Sequence, residues 1–148
     1  MATEQTSVYG GDGGNPYELY ADDPSAIVTL LEVWCGWGSG NCSDRWVLKG
    51  IGLTWSDGSS SNIYNHPDKD SDMYQTFMFP QDGTATWSLR TGYRIDQLSF
   101  LTNRGVPWVT GGDGGVPSDE IATGHLIGFE GNAGWEIDSL SVRFKEIQ

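Results

Sequence analysis

Two short patterns each occur twice in this 148-residue chain, and both suit a polyhydroxylated ligand. The first is Gly-Gly-Asp-Gly-Gly, at Gly10 to Gly14 and again at Gly111 to Gly115. The second is Gly-x-x-x-Asp, as Gly92-Tyr93-Arg94-Ile95-Asp96 and as Gly134-Trp135-Glu136-Ile137-Asp138. A glycine-rich turn lets a ligand approach the main chain and use its N–H donors. An ionised aspartate accepts bonds from two adjacent hydroxyls, and such charge-assisted bonds are the stronger class. The aromatic after each first glycine, Tyr93 or Trp135, offers an apolar wall to the C–H face of a sugar ring. Either pattern alone reads more simply as a tight turn and a strand start. Their joint recurrence favours binding.

Other reactive residues argue less. Asp68-Lys69-Asp70-Ser71-Asp72 imitates the opening of a calcium loop. Met73 and Phe79 stand where that loop needs Gly and Glu, so a solvated loop is expected and no metal is called for. His66 and His125 are the only histidines, and neither has a neighbouring nucleophile motif, so triad chemistry has no support. Asp96 and Asp138 fall in different repeats, which should hold them farther apart than the roughly 10 Å of a glycosidase pair. Cys35 and Cys42 flank a glycine-rich loop; a small disulfide and two separate thiols are both open. Without histidine pairs nearby they do not make a zinc site. Asn41-Cys42-Ser43 fits a glycosylation acceptor, relevant only to a secreted chain.

These residues need strands to position them. Three phrases share one pattern: Trp46 to Leu53, Tyr93 to Phe100 and Trp135 to Val142. Each opens on an aromatic and continues with apolar residues at every second or third place. Their starts lie 47 and then 42 residues apart (46 to 93, 93 to 135), as in a supersecondary unit used three times. Ser56-Asp57-Gly58 and Asn103-Arg104-Gly105 are hairpin signals between alternating runs. Ile27 to Trp34 and Tyr74 to Phe79 read as further strands, and no segment holds helical periodicity. The pattern predicts an all-β domain of about a dozen strands in three hairpin-containing units. Closing three sheets around one axis would bury their inner faces and leave few edges.

The bulk composition agrees. Gly is abundant at 21 residues, and seven Trp, six Tyr and five Phe suit pleated surfaces. The length allows one domain with a real core. The net charge of −12 makes nucleic acid and acidic membranes poor partners; spread along the chain, it reads as a solubilising surface. No apolar run reaches the roughly 18 to 20 residues of a membrane span, so direct insertion is not expected. Met1 to Gln5 lacks the character of a signal peptide, so cytoplasmic residence, or secretion without a signal peptide, is expected.

The chain resembles the jacalin-related lectins. The residues that carry the likeness are Gly10 to Gly14, Ile95 to Gly105, and Leu126-Ile127-Gly128-Phe129-Glu130-Gly131 leading into Gly134 to Asp138. Trp46 to Gly58 is similar to the matching strand and turn in lectin domains attached to aerolysin-like proteins. The resemblance covers residues 9–148, leaving 1–8 as an N-terminal tail. It implies a β-prism of three four-stranded Greek-key sheets with pseudo-threefold symmetry, and calcium-free sugar binding without catalysis. Carried over by position, one site joins Gly13 and Gly14 to Gly134, Trp135, Glu136 and Asp138. A second would join Gly92, Tyr93, Arg94 and Asp96 to Gly114 and Gly115, unless Arg94 pairs with Asp96 and closes it. Lys49 stands at the aspartate's place in the first repeat, so that repeat should not bind alike. The uncut glycine loop resembles the mannose-type members, although Gly111 to Gly115 is richer in glycine than that family's usual Gly-Pro turn. The implied partners are mannose-type glycans or glycoproteins. Sites this shallow bind single sugars weakly, so agglutination would need several held together, as in a homo-oligomer. A targeting or structural module of a pore-forming or defence system, with sugar binding weak or lost, is the alternative.

Overall fold

The alternating runs become twelve β-strands in a computed structural model that describes residues 3–146. They are β1 (Thr3–Gln5), β2 (Tyr9–Gly10), β3 (Asn15–Leu19), β4 (Val28–Trp37), β5 (Trp46–Trp55), β6 (Ser60–Tyr64), β7 (Met73–Met78), β8 (Ala85–Thr91), β9 (Ile95–Thr102), β10 (Pro107–Gly111), β11 (Val116–Ala133) and β12 (Ser139–Lys145). A 3₁₀ turn at Gly40–Cys42 is the only helical element among the described residues. The expected hairpin turns form: Gly58 N–H bonds the Trp55 carbonyl at 2.9 Å, and Gly105 N–H the Thr102 carbonyl at 2.9 Å.

All pairings are antiparallel and fall into three sheets. The first runs β6-β5-β4-β7. The second runs β10-β9-β8 and adds the first half of β11, from Val116 to Gly124. The third takes the second half of β11, from His125, between β3 and β12. β11 thus serves two sheets. Its register shifts between Ser118 and Ala122, where Glu120 has φ 52°, the one positive value at a non-glycine residue among those described. β1 and β2 lie in turn along the outer side of β12, with Thr3 opposite Lys145 and Tyr9 opposite Leu140. Residues 3–5, placed in a tail on sequence, are therefore part of the third sheet, where they cover an edge that β12 would otherwise leave unpaired.

The inner faces meet in one core. Leu31, Val33 and Trp55 come from the first sheet, Trp87, Leu98 and Phe100 from the second, and Leu19, Phe129 and Val142 from the third. Trp55 Nε1 donates across sheets to the Ile127 carbonyl at 2.6 Å, whereas Trp87 Nε1, deeper still, has no hydrogen-bond partner. Cys35 and Cys42 are both buried and unbridged. Cys35 Sγ lies 3.1 Å from Thr110 Oγ1, and burial pushes its thiol up to about 11.

The three phrases converge at one end. Leu48, Ile95 and Ile137 are their equivalent third residues, and all are fully buried. Ile95 N–H donates to the Ile137 carbonyl at 2.9 Å, and Ile137 N–H donates to the Leu48 carbonyl at 3.0 Å. One position further on stand Lys49, Asp96 and Asp138.

Candidate functional site

Asp138 sits where the Gly10 to Gly14 loop meets the turn before β12. Gly134 N–H donates to Asp138 Oδ1 at 2.8 Å, and Gly11 N–H to the Asp138 carbonyl at 2.8 Å. A Cβ on Gly13 would lie 2.9 Å from Asp138 Oδ2, and one on Gly14 2.8 Å from Oδ1. Gly14 has φ +80°, so only glycine fits there without strain. Asp138 is 4% exposed, and burial raises its pKa against the lowering by the Gly134 N–H and Arg94. Gly13, Gly14, Gly134 and Asp138 are thus brought together as expected.

The remaining members of that set differ from expectation. Trp135 is exposed, but one face lies flat on His66, with ring centroids 3.9 Å apart and planes 2° from parallel. Only its other face remains for a ligand. Glu136 is 1% exposed and turned inward. Its carboxylate accepts from Ser39 Oγ at 2.9 Å and from Arg94 Nε at 2.8 Å, so it is occupied by the protein itself.

The second set repeats the geometry of the first. Gly112 N–H donates to the Asp96 carbonyl at 2.8 Å, matching Gly11. Gly92 N–H donates to the Arg94 carbonyl at 3.0 Å, as Gly134 N–H does to that of Glu136. A Cβ on Gly114 would meet Asp96 Oδ2 at 2.7 Å, and one on Gly115 would meet Oδ1 at 2.9 Å. Arg90 pins the turn, its Nε and Nη2 donating to the Gly114 and Gly115 carbonyls at 3.0 and 3.2 Å. A groove of about 810 Å³ runs past Gly10, Gly11, Arg45, Gly92, Gly115 and the exposed Tyr93. Asp96 is 1% exposed, its carboxyl raised by burial and lowered by Arg45. Arg45 Nη1 stands 3.6 Å from its Oδ2.

Arg94 belongs to the other set. Instead of closing on Asp96, it reaches Glu136 and places Nη1 3.2 Å from Asp138 Oδ2. It precedes β9, in the segment that turns about the central axis, so its side chain crosses to the neighbouring repeat. Sequence reading also missed Arg45 and Arg90. Aligning the three phrases places Arg45 where Gly92 and Gly134 stand, and that substitution was the available signal.

At the third vertex the charges are exchanged. Lys49 Nζ bonds Asp72 Oδ1 at 3.1 Å. Asp72 immediately precedes β7, as Gly14 precedes β3 and Gly115 precedes β11. It also accepts from Tyr64 Oη at 2.5 Å and Asp68 N–H at 2.8 Å. The lysine and aspartate side chains are 8% and 2% exposed, so an internal ion pair fills the space that faces glycine elsewhere. The acidic run read as a solvated loop therefore ends in a buried partner for Lys49. Among the described residues, no group of three or more His, Cys, Asp or Glu side chains is arranged to hold a metal.

No protein-family model matches the chain, and neither does any curated protein. Solved structures do. The Calsepa lectin in complex with a bisected glycan aligns with TM-score 0.73 at 14% identity, over 99% of both chains. A mannose-binding lectin from champedak aligns with TM-score 0.67 at 18% identity, again over 99% of both. A lamprey immune protein aligns with TM-score 0.73 at 22% identity over 96% of this chain, which spans only 44% of the lamprey protein's length. The chain therefore has the three-sheet β-prism fold of these lectins, the architecture implied by its resemblance to the jacalin-related family.

Proposed function

We propose that this protein is a non-catalytic lectin that binds mannose- or glucose-type glycans without calcium. One observation carries the reading. Asp138 is a nearly buried carboxylate whose two oxygens face Gly13 and Gly14 at distances that no side chain could share. Loop and carboxylate bring main-chain N–H groups and a charged acceptor together, as a pair of ring hydroxyls requires, and the exposed Trp135, three residues before Asp138 in the chain, offers an apolar face. The lectin neighbours support the reading through their shared fold, one of them solved with a glycan bound.

The test is titration calorimetry with methyl α-mannoside, led by a glycan array. Asp138→Asn should weaken binding by about 1.5 to 3 kcal/mol for each hydrogen bond to the carboxylate that is weakened, with the fold intact by circular dichroism. Chelator should leave the affinity unchanged. An array that retains no glycan removes the reading; reducing-sugar release from a bound glycan would replace it with an enzyme. A second reading has its own support. Arg94 already occupies Asp138, and the lamprey immune protein is more than twice this chain's length. These favour a β-prism module serving a larger defence or pore-forming assembly with weak sugar binding, and a silent array would select it.

A further inference from the structure

We propose that the second glycine–aspartate unit selects sugars carrying a carboxylate beside their hydroxyls, with Arg45 setting that preference; this rests on reading the unit as a sugar site. Asp96 Oδ2 is buried and has no hydrogen-bond partner. Buried acceptors are rarely left so, because the lost hydration is not replaced. Arg45 Nη1, at 3.6 Å, balances the charge without making the bond. Its side chain is 46% exposed and opens onto the groove along Gly92, Tyr93 and Gly115. Glycine at 114 is what allows this arrangement, since a Cβ there would lie 2.8 Å from Arg45 Nη1 and 2.7 Å from Asp96 Oδ2.

A guanidinium offers donors in a fixed fork that matches a carboxylate. A neutral sugar that takes both oxygens of Asp96 draws Arg45 off its counter-charge. A sugar with a carboxylate can give its hydroxyls to Asp96 and its acid to Arg45, so both protein charges stay satisfied. The local balance has room for that charge. Arg45 and Arg90 both act on Asp96, and Arg90 has no acidic partner among the described residues. Asp12, on the groove's other wall, opposes an anion, but it is exposed and its field is screened by water and salt. The first unit lacks this freedom. Its arginine, Arg94, is held by both Glu136 and Asp138 and is only 19% exposed.

Methyl α-glucuronide and methyl α-glucoside differ only at C6, carboxylate against hydroxymethyl, and form the matched probe. Each is titrated against Asp138→Asn, where the second unit dominates, and then with Arg45→Gln or Asp96→Asn added. The same comparison in the unaltered protein follows the Tyr93 and Gly115 amide shifts, which needs no substitution in the first unit. The glucuronide should bind about tenfold tighter or better. Arg45→Gln should erase that advantage while the glucoside still binds, and Asp96→Asn should weaken both. Equal or tighter binding of the glucoside, dependent on Asp96, overturns the acid preference and leaves a neutral sugar site standing. An advantage that survives Arg45→Gln overturns the role of Arg45. Absence of any Asp96-dependent binding removes the second site and the preference together.

Discussion

Asp96 and Asp138 are held nearly out of water beside glycine turns, and their acidity follows from that. Burial raises both above the ordinary aspartate value of 3.8, against the lowering by Arg45 for one and by the Gly134 N–H and Arg94 for the other. With the folded-state value raised, ionising either group costs the fold stability as pH rises, and protonating it relieves that cost as pH falls. The proposed sugar binding would run the opposite way, because hydroxyls need the charged acceptor. On acidification, sugar affinity should therefore fall with a midpoint above 3.8, before thermal stability declines. Calorimetric titrations and melts across a pH series check this; a midpoint at or below 3.8 would count against a raised carboxyl. The glycines make a second residue-scale case. Gly14→Ala forces an L-residue into φ +80° with its Cβ 2.6 Å from the Ala133 carbonyl carbon. It should lose at least about 1 to 2 kcal/mol in urea denaturation and weaken binding at Asp138. These glycine–aspartate pairs were readable in the sequence because the same spacing is written twice. The partner of Arg94 was not, since spacing within a repeat says nothing about contacts between repeats.

The strands were largely legible, because period-two alternation and Asp-Gly or Arg-Gly turns fix where a pleated run begins and ends. The double duty of β11 was not, because a long strand that bends from one sheet into another carries the same alternation as two short ones. Within its pairing with β8 the strand carries an irregularity at Glu120, whose φ of 52° is one that L-residues adopt only with strain. Glu120→Gly should relieve more strain than glycine's added chain entropy costs, a net gain of about 0.5 to 1 kcal/mol. Glu120→Val should lose about 1 kcal/mol or more, since a β-branched side chain fits that region worst. Paired thermal melts of the two variants test whether the backbone conformation at 120, rather than the glutamate's charge, sets the effect.

Over the whole molecule, three repeats pack one core, but only two end in a glycine–aspartate unit. The third is closed by Lys49 and Asp72, and that exchange of charge was half visible: the lysine stood out in the repeat, whereas its partner looked like one more acid in a polar loop. Lys49→Met leaves Asp72 buried without its cation and should cost about 3 to 5 kcal/mol. Any folded fraction should still bind sugar at Asp138. Because Trp55 and Trp87 come from different sheets of that core, Trp fluorescence and far-ultraviolet dichroism should trace a single urea transition. Two separated transitions would mean that one sheet opens by itself.

Arg94 belongs by sequence to one unit and by contact to the other. A ligand that draws its guanidinium from Asp138 must release it beside Tyr93, whose carbonyl Arg94 Nη1 already contacts at 3.2 Å. Because the same Nη1 faces both units, the two proposed sites would be parts of one equilibrium. Linkage then sets a reciprocal rule: whatever factor occupancy at Asp138 imposes on affinity near Tyr93 is returned unchanged in the other direction. If both glycine–aspartate units bind glycans as proposed, one arginine would let each glycan report on its neighbour.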